Sequence, residues 1–164
     1  MSKIRVLIAV GCCACALMLT TFAQAARKPG LWEITANMTW QQSPMPSGMT
    51  MPGAGPHTTQ VCLTQAQIDR YGAPISQGRD CQVTNISFKP NGMTGGLVCT
   101  GHTVGKGEVQ ASWTDSTHAT GRVHFLGTMQ AGPKSVPVEW TVDSSSVFKS
   151  SDCGSVQPAP MPAK

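Results

Sequence analysis

The chain has 164 residues, 40% of them hydrophobic and only 12% charged, with a formal net charge of +4 at pH 7. That length supports one domain, and the charge is too weak for the electrostatic footprint of a nucleic-acid binder. The nine aromatic residues (Trp 4, Phe 4, Tyr 1) stand against Gly 17 and Pro 12, which excludes a coiled coil, a transmembrane bundle, a large cofactor enzyme and a fully disordered chain.

At the N-terminus Lys3 and Arg5 precede an uncharged apolar run from Val6 to Phe22, and Ala23-Gln24-Ala25 is a small-x-small cleavage site. Residues 1–25 therefore read as a cleaved signal peptide, and the mature chain is expected to be exported, with no segment left that spans a membrane. A rival reading is lipidation at Cys12, Cys13 or Cys15. Ala9-Val10-Gly11 before Cys12 makes a passable lipobox, but only about six apolar residues precede that cut, too few for an h-region.

From residue 30 the pattern is that of strands. Trp32, Ile34, Ala36, Met38 and Trp40 share one phase of a period-2 alternation, and Glu33, Thr35, Asn37 and Thr39 the other, which predicts a half-buried strand over 30–40. Residues 42–56 are rich in Met, Pro and Gly and read as a loop that cannot hold a ladder. A strand resumes at His57–Leu63. Thr64–Gly72 follows as a short helix, with Thr64 as N-cap, Gln67 completing a capping box and Gly72 as the C-terminal stop. Cys81–Phe88 and Met93–Thr100 form a hairpin about Pro90-Asn91. Further strands are expected over 107–113, 119–129, 135–142 and 147–153, and a disordered Pro-rich tail over 155–164. The expectation is one all-β domain, 26–154, with about eight strands and one short helix, its single antiparallel meander sheet curving toward a barrel.

Three of the seven cysteines leave with the signal, so the mature chain keeps Cys62, Cys81, Cys99 and Cys153. An even number in an exported chain reads as two disulfides. A hairpin about Pro90-Asn91 sets Cys81 one residue out of register with Cys99, so one bulge or a slightly different turn brings them opposite each other, within bridging reach. That pairs Cys81 with Cys99 and leaves Cys62 with Cys153. The mature chain has no Cys-x-x-Cys and no His at zinc-finger spacing, which favours structure over zinc or redox chemistry.

The order Pro29-Gly30-Leu31-Trp32-Glu33-Ile34, a Met/Pro/Gly loop, Val61-Cys62-Leu63-Thr64, Asp80-Cys81-Gln82-Val83, Leu97-Val98-Cys99 and Asp152-Cys153 resembles the bacterial exported family catalogued as domain of unknown function 3617. The resemblance covers nearly all of the mature chain. It implies a small exported envelope protein, in the bacterial periplasm or secreted, and brings no activity, cofactor or catalytic residue with it.

The most unusual chemistry is the loop, where Met45, Met49 and Met51 lie between Met38 and His57. Thioethers are soft ligands that suit Cu(I), and equally they make adaptable apolar contacts. The histidines His57, His102, His118 and His124 match no metal motif. Gly101–Gly107 differs from a phosphate loop in length and in its residue after the Lys, and reads as a hairpin connection. There is no Gly-x-Ser-x-Gly elbow and the carboxylates are scattered. The reading is a non-enzymatic binding or scaffolding module for an apolar ligand or an envelope partner, held at the concave face and gated by the loop. Trp32, Trp40, Met45, Met49 and Met51 would line its mouth. Cu(I) bound by the three methionines is the alternative, and an enzyme of unknown type the third reading.

Overall fold

The alternation that opens the domain folds as expected, and its apolar phase becomes the inner face of a sheet. The structure, a computed structural model, describes residues 27–45, 55–72 and 80–158; the expected signal segment, residues 1–25, and the loop residues 46–54, Met49 and Met51 among them, lie outside the described residues. The elements are β1 (Gly30–Gln42), β2 (Gly55–Leu63), α1 (Gln65–Tyr71), β3 (Cys81–Lys89), β4 (Gly92–Thr100), β5 (Thr103–Trp113), β6 (His118–Ala131) and β7 (Lys134–Ser150). They form one seven-stranded antiparallel sheet in the order β2-β1-β7-β6-β5-β4-β3.

The count is seven rather than about eight because residues 135–142 and 147–153 belong to one long strand, ending at Ser150. Asp143-Ser144-Ser145-Ser146 has the composition of a turn, yet β7 is ladder-bonded on both sides. Ser144 lies opposite Ala36 and Gly121, and Ser146 opposite Ile34 and Ala119. Pairing to two neighbours outweighs local turn preference, as is usual for a central strand. The meander holds only from β3 to β7. The β1–β2 hairpin docks on β7 instead of β3, so the chain between β2 and β3, which includes α1, passes from one sheet edge to the other. Those two edges do not pair, and the curved sheet stays open.

A second difference concerns Gly101–Gly107, expected as a connection. Only Gly101 and His102 connect β4 to β5, and Thr103 already belongs to β5. Glycine is tolerated in these strands because neighbouring backbone and a side chain both take the space. A Cβ on Gly105 would run into Leu126 O and lie 2.7 Å from the Phe125 ring, and one on Gly127 would run into Val104 O and lie 2.8 Å from the same ring. Phe125 covers both and is itself 0% exposed. It stacks on Trp140 with ring centroids 5.0 Å apart. With one layer of sheet and one short helix, such complete burial requires the sheet to curl over its own apolar face.

The hairpin β3–β4 carries its bulge between Thr84 and Ser87, where Asn85 has φ 51°, and this brings Cys81 opposite Cys99. Their Cα atoms are 4.0 Å apart and bridged; Cys62 and Cys153 form the second bridge at 5.5 Å. Both pairings match the sequence reading. Helix α1 has the expected capping box, with Thr64 Oγ1 accepting from Gln67 N–H and Gln67 Oε1 accepting from Thr64 N–H, and Gly72 ends it at φ 66°. The tail, expected to be disordered from 155, is held as far as Pro158. Val156 N–H donates to Cys153 O, and Pro158 bridges Cys62 in parallel.

The core has two parts. The larger gathers Met93, Leu97, Cys99, Val109, Ala111, Trp113, Ala119, Phe125 and Val138 from β4 to β7. The smaller joins Trp32 to Leu63 and Ile68, where α1 covers one end of the sheet.

The bridges close loops of very different length, with sequence separations of 91 and 18. On the loop-entropy account, the Cys62→Ala/Cys153→Ala double variant is expected to lose about 4.5 kcal/mol and Cys81→Ala/Cys99→Ala about 3 kcal/mol. Urea unfolding of the two double variants beside the oxidised protein checks both the order and the size.

Candidate functional site

The period-2 alternation sends Ile34, Ala36, Met38 and Trp40 of β1 to the concave side, and all four are half-buried rather than sealed. Cross-strand pairing extends this strip. Met38 lies opposite Val142, and Val142 opposite Val123; Trp40 lies opposite Trp140, and Trp140 opposite Phe125. The result is an aromatic ladder, Trp40–Trp140–Phe125, at the end of the sheet where the Met/Pro loop departs. The Trp40 indole N–H is buried and has no hydrogen-bond partner. An orphaned buried donor costs about 1–3 kcal/mol, which an oxygen acceptor on a bound molecule would recover.

The structure separates the residues that the sequence grouped. Trp40 stands at the loop end, but Trp32 lies eight residues earlier on β1, about 26 Å away at the rise of a strand. Trp32 is 0% exposed. It donates its indole N–H to Lys28 O at 3.0 Å and meets Phe148 edge-on with centroids 5.7 Å apart. It therefore belongs to the closed end and not to the mouth. Met45 is 38% exposed, three residues past the end of β1. Met49 and Met51 lie outside the described residues. His57 lies opposite Ala36, and Gly55 opposite Met38, so His57 and Met38 share the concave phase where the loop begins.

Arg27, which carried no signal in the sequence, occupies the closed end. It is 4% exposed, and its guanidinium carbon lies 3.8 Å from the centroid of the Trp113 ring. Burial pulls its pKa down to about 10, which leaves it charged at neutral pH. Nε and Nη1 are buried without hydrogen-bond partners. A Cβ on Gly72 would approach Nη2 to 3.1 Å, so the left-handed glycine that ends α1 also lets the helix close over this group.

The outer face is polar and internally paired. A shallow depression of about 480 Å³ is lined by Thr39, Gln41, Arg122, His124, Thr141 and Asp143. Arg122 binds Asp143 bidentately at 2.7 and 3.0 Å, and His124 Nε2 lies 2.9 Å from Glu139 Oε1. Lys149 pairs with Glu33 at 3.1 Å. These groups satisfy one another across neighbouring strands of the outer face. The buried polar side chains among the described residues are Arg27, Gln67 and Ser146, and Gln67 is engaged in the helix cap. Among the described residues, no three His, Cys, Asp or Glu side chains are grouped so as to hold a metal ion. No helix there is long and apolar enough to cross a membrane.

A family model described as "Protein of unknown function (DUF3617)" matches residues 27–153. No curated protein and no solved structure matches the chain.

The polar turn after β5 and the Arg122 pair make stability depend on acid pH. Asp115 accepts from Thr117 Oγ1, Thr117 N–H and the His118 ring, and these bonds hold its pKa at about 2. The Arg122 guanidinium holds Asp143 below the usual carboxylate range. Both folded pKa values lie below the unfolded value of about 3.9, so their contribution is complete above that pH and is lost as pH falls toward 2. The urea midpoint is expected to drop between about pH 5 and 2, and more shallowly in Asp115→Asn/Asp143→Asn; equal slopes would contradict the assignment.

Proposed function

The chain belongs to that family, whose description assigns no activity, and we propose that it is an exported, non-enzymatic binding module of the bacterial envelope. Its working surface is the loop end of the concave face, and its ligand is an apolar molecule or an apolar partner surface. The observation that carries this reading is the half-buried strip of Ile34, Met38, Trp40, Trp140 and Val142, in which the Trp40 indole N–H lacks an acceptor. Core side chains elsewhere in the sheet are sealed, Phe125 and Val138 to 0% and 1% exposure. This strip is not, although it carries two of the four tryptophans. Indole and thioether groups combine large apolar area with adaptable contact, which suits a surface that meets ligands of varied shape. Export supports the reading from two sides: the Lys3–Ala25 signal pattern, and the two disulfides, which persist in an oxidising compartment.

A second reading is Cu(I) binding by Met45, Met49 and Met51. It is favoured by the hairpin register, which sets Met38 and His57 on one face at the root of the loop.

Titration of the exported protein with the apolar fluorophore N-phenyl-1-naphthylamine tests the leading reading. Saturable binding is expected, weakened about tenfold by Trp40→Ala, which removes ring and donor together, and less by Trp40→Phe. Replacing Met45, Met49 and Met51 together with Leu should leave probe binding largely intact. If the native protein gains a copper-sized mass that this triple variant loses, and takes up no probe, the copper reading replaces the apolar one.

A further inference from the structure

Arg27 differs from the other arginine pairings of the sheet. Arg122 has its carboxylate, but no ion pair reaches Arg27 among the described residues. What surrounds it is the face of Trp113 and the carboxyl-terminal end of α1. A ring face and a helix end lend partial negative charge, yet neither gives Nε or Nη1 an acceptor. A charged guanidinium taken out of water with open donors is costly, and the cost is relieved when an oxyanion fills them.

Arg27 is also in line with the apolar strip. Trp113, beneath it, belongs to the same buried cluster as Phe125, and its cross-strand partner is Ala119 of β6. From Ala119 to Phe125 is six residues, about 20 Å of strand. The concave face therefore has a charge at its helix-covered end and the Trp40–Trp140–Phe125 ladder at its loop end, with the half-buried Ala36, Met38 and Val142 of β1 and β7 between them. That is the polarity of a molecule with one anionic group and one long apolar part.

We propose that Arg27 anchors the carboxylate or phosphate of an anionic single-chain amphiphile whose apolar part lies along the concave face toward Trp40. This inference rests on the apolar-surface reading above and names the chemical class of its ligand.

Tryptophan fluorescence titrations of the exported protein with decanoate, decan-1-ol, acetate and inorganic phosphate separate the contributions. Decanoate is expected to bind about tenfold more tightly than decan-1-ol, with acetate and phosphate far weaker than either. Arg27→Gln should remove the gap and leave decan-1-ol affinity unchanged, and Arg27→Lys should keep part of it. Equal binding of the two ten-carbon probes, or a gap that survives Arg27→Gln, overturns the headgroup assignment while leaving the apolar surface standing. Acetate or phosphate binding as tightly as decanoate overturns the amphiphile in favour of a free anion. If neither ten-carbon probe binds, the apolar reading falls and the proposal with it. Melting of the unliganded Arg27→Gln protein covers the remaining case. Removal of an unpaired buried charge should leave the melting temperature unchanged or raise it; a clear fall would make Arg27 a structural staple and overturn the proposal.

Discussion

Among the described residues the sheet has no second layer and has to cover its own apolar face, a requirement that falls on Phe125. Its ring occupies the space that side chains at Gly105 and Gly127 would take, and it stacks on Trp140. Without bare backbone at those two positions the ring could not lie flat in the sheet. Without the ring, the glycines would weaken two neighbouring strands. The close approach of strand and ring allows the curvature that buries Met93, Leu97 and Val138 without a covering helix layer. The same curvature leaves one end to be closed by α1 and the other bounded by the last residues of β1 and the first of β2.

The two disulfides act on the margins of this arrangement rather than on its centre. Cys81–Cys99 ties the edge strand β3 to β4, beside a bulge that twists the edge. Cys62–Cys153 ties the other edge strand to the segment after β7. Edge strands are where a sheet frays and where it recruits unwanted partners, so cross-links there stabilise the parts that packing reaches least. Pro158, bridging Cys62 from outside, adds a group without an N–H to the same edge.

Features governed by local chemistry were legible in the sequence. The alternation of β1, the capping box of α1 and the pairing of Cys81 with Cys99 across a one-residue offset all depend on residues close in the chain, and all are found; of the two ways to absorb the offset, a bulge or another turn, the hairpin uses the bulge. The features that escaped depend on distant partners. Asp143-Ser144-Ser145-Ser146 reads as a turn until β1 and β6 are placed on either side of it. Gly105 reads as a loop residue until Phe125 is placed against the sheet. The docking of β1 on β7 follows from no local signal, because either end of the meander offers an unpaired strand. The candidate site divides in the same way. Trp32 and Trp40 share a phase, which the alternation reveals, but which end of the strand is sealed depends on where α1 returns. Arg27, one basic residue soon after a signal segment, gave no hint of burial.

The two ends of the concave face differ for physical reasons that bear on any ligand. At the closed end, Trp32 has its hydrogen bond to Lys28 O, and Ile68 and Leu63 pack beside it; there the unmet polar demand belongs to Arg27 alone among the buried cations described. At the loop end the unmet demand is the Trp40 indole N–H. Both unmet groups are donors, and native interiors rarely leave buried donors unfilled. A ligand that satisfied them would bring oxygen acceptors, charged at the Arg27 end and neutral or charged at the Trp40 end, with apolar surface between. A purely hydrocarbon ligand would leave both donors open and gain only contact area. The chemistry of the vacant donors, more than the area of the apolar strip, therefore selects the kind of molecule this surface would hold.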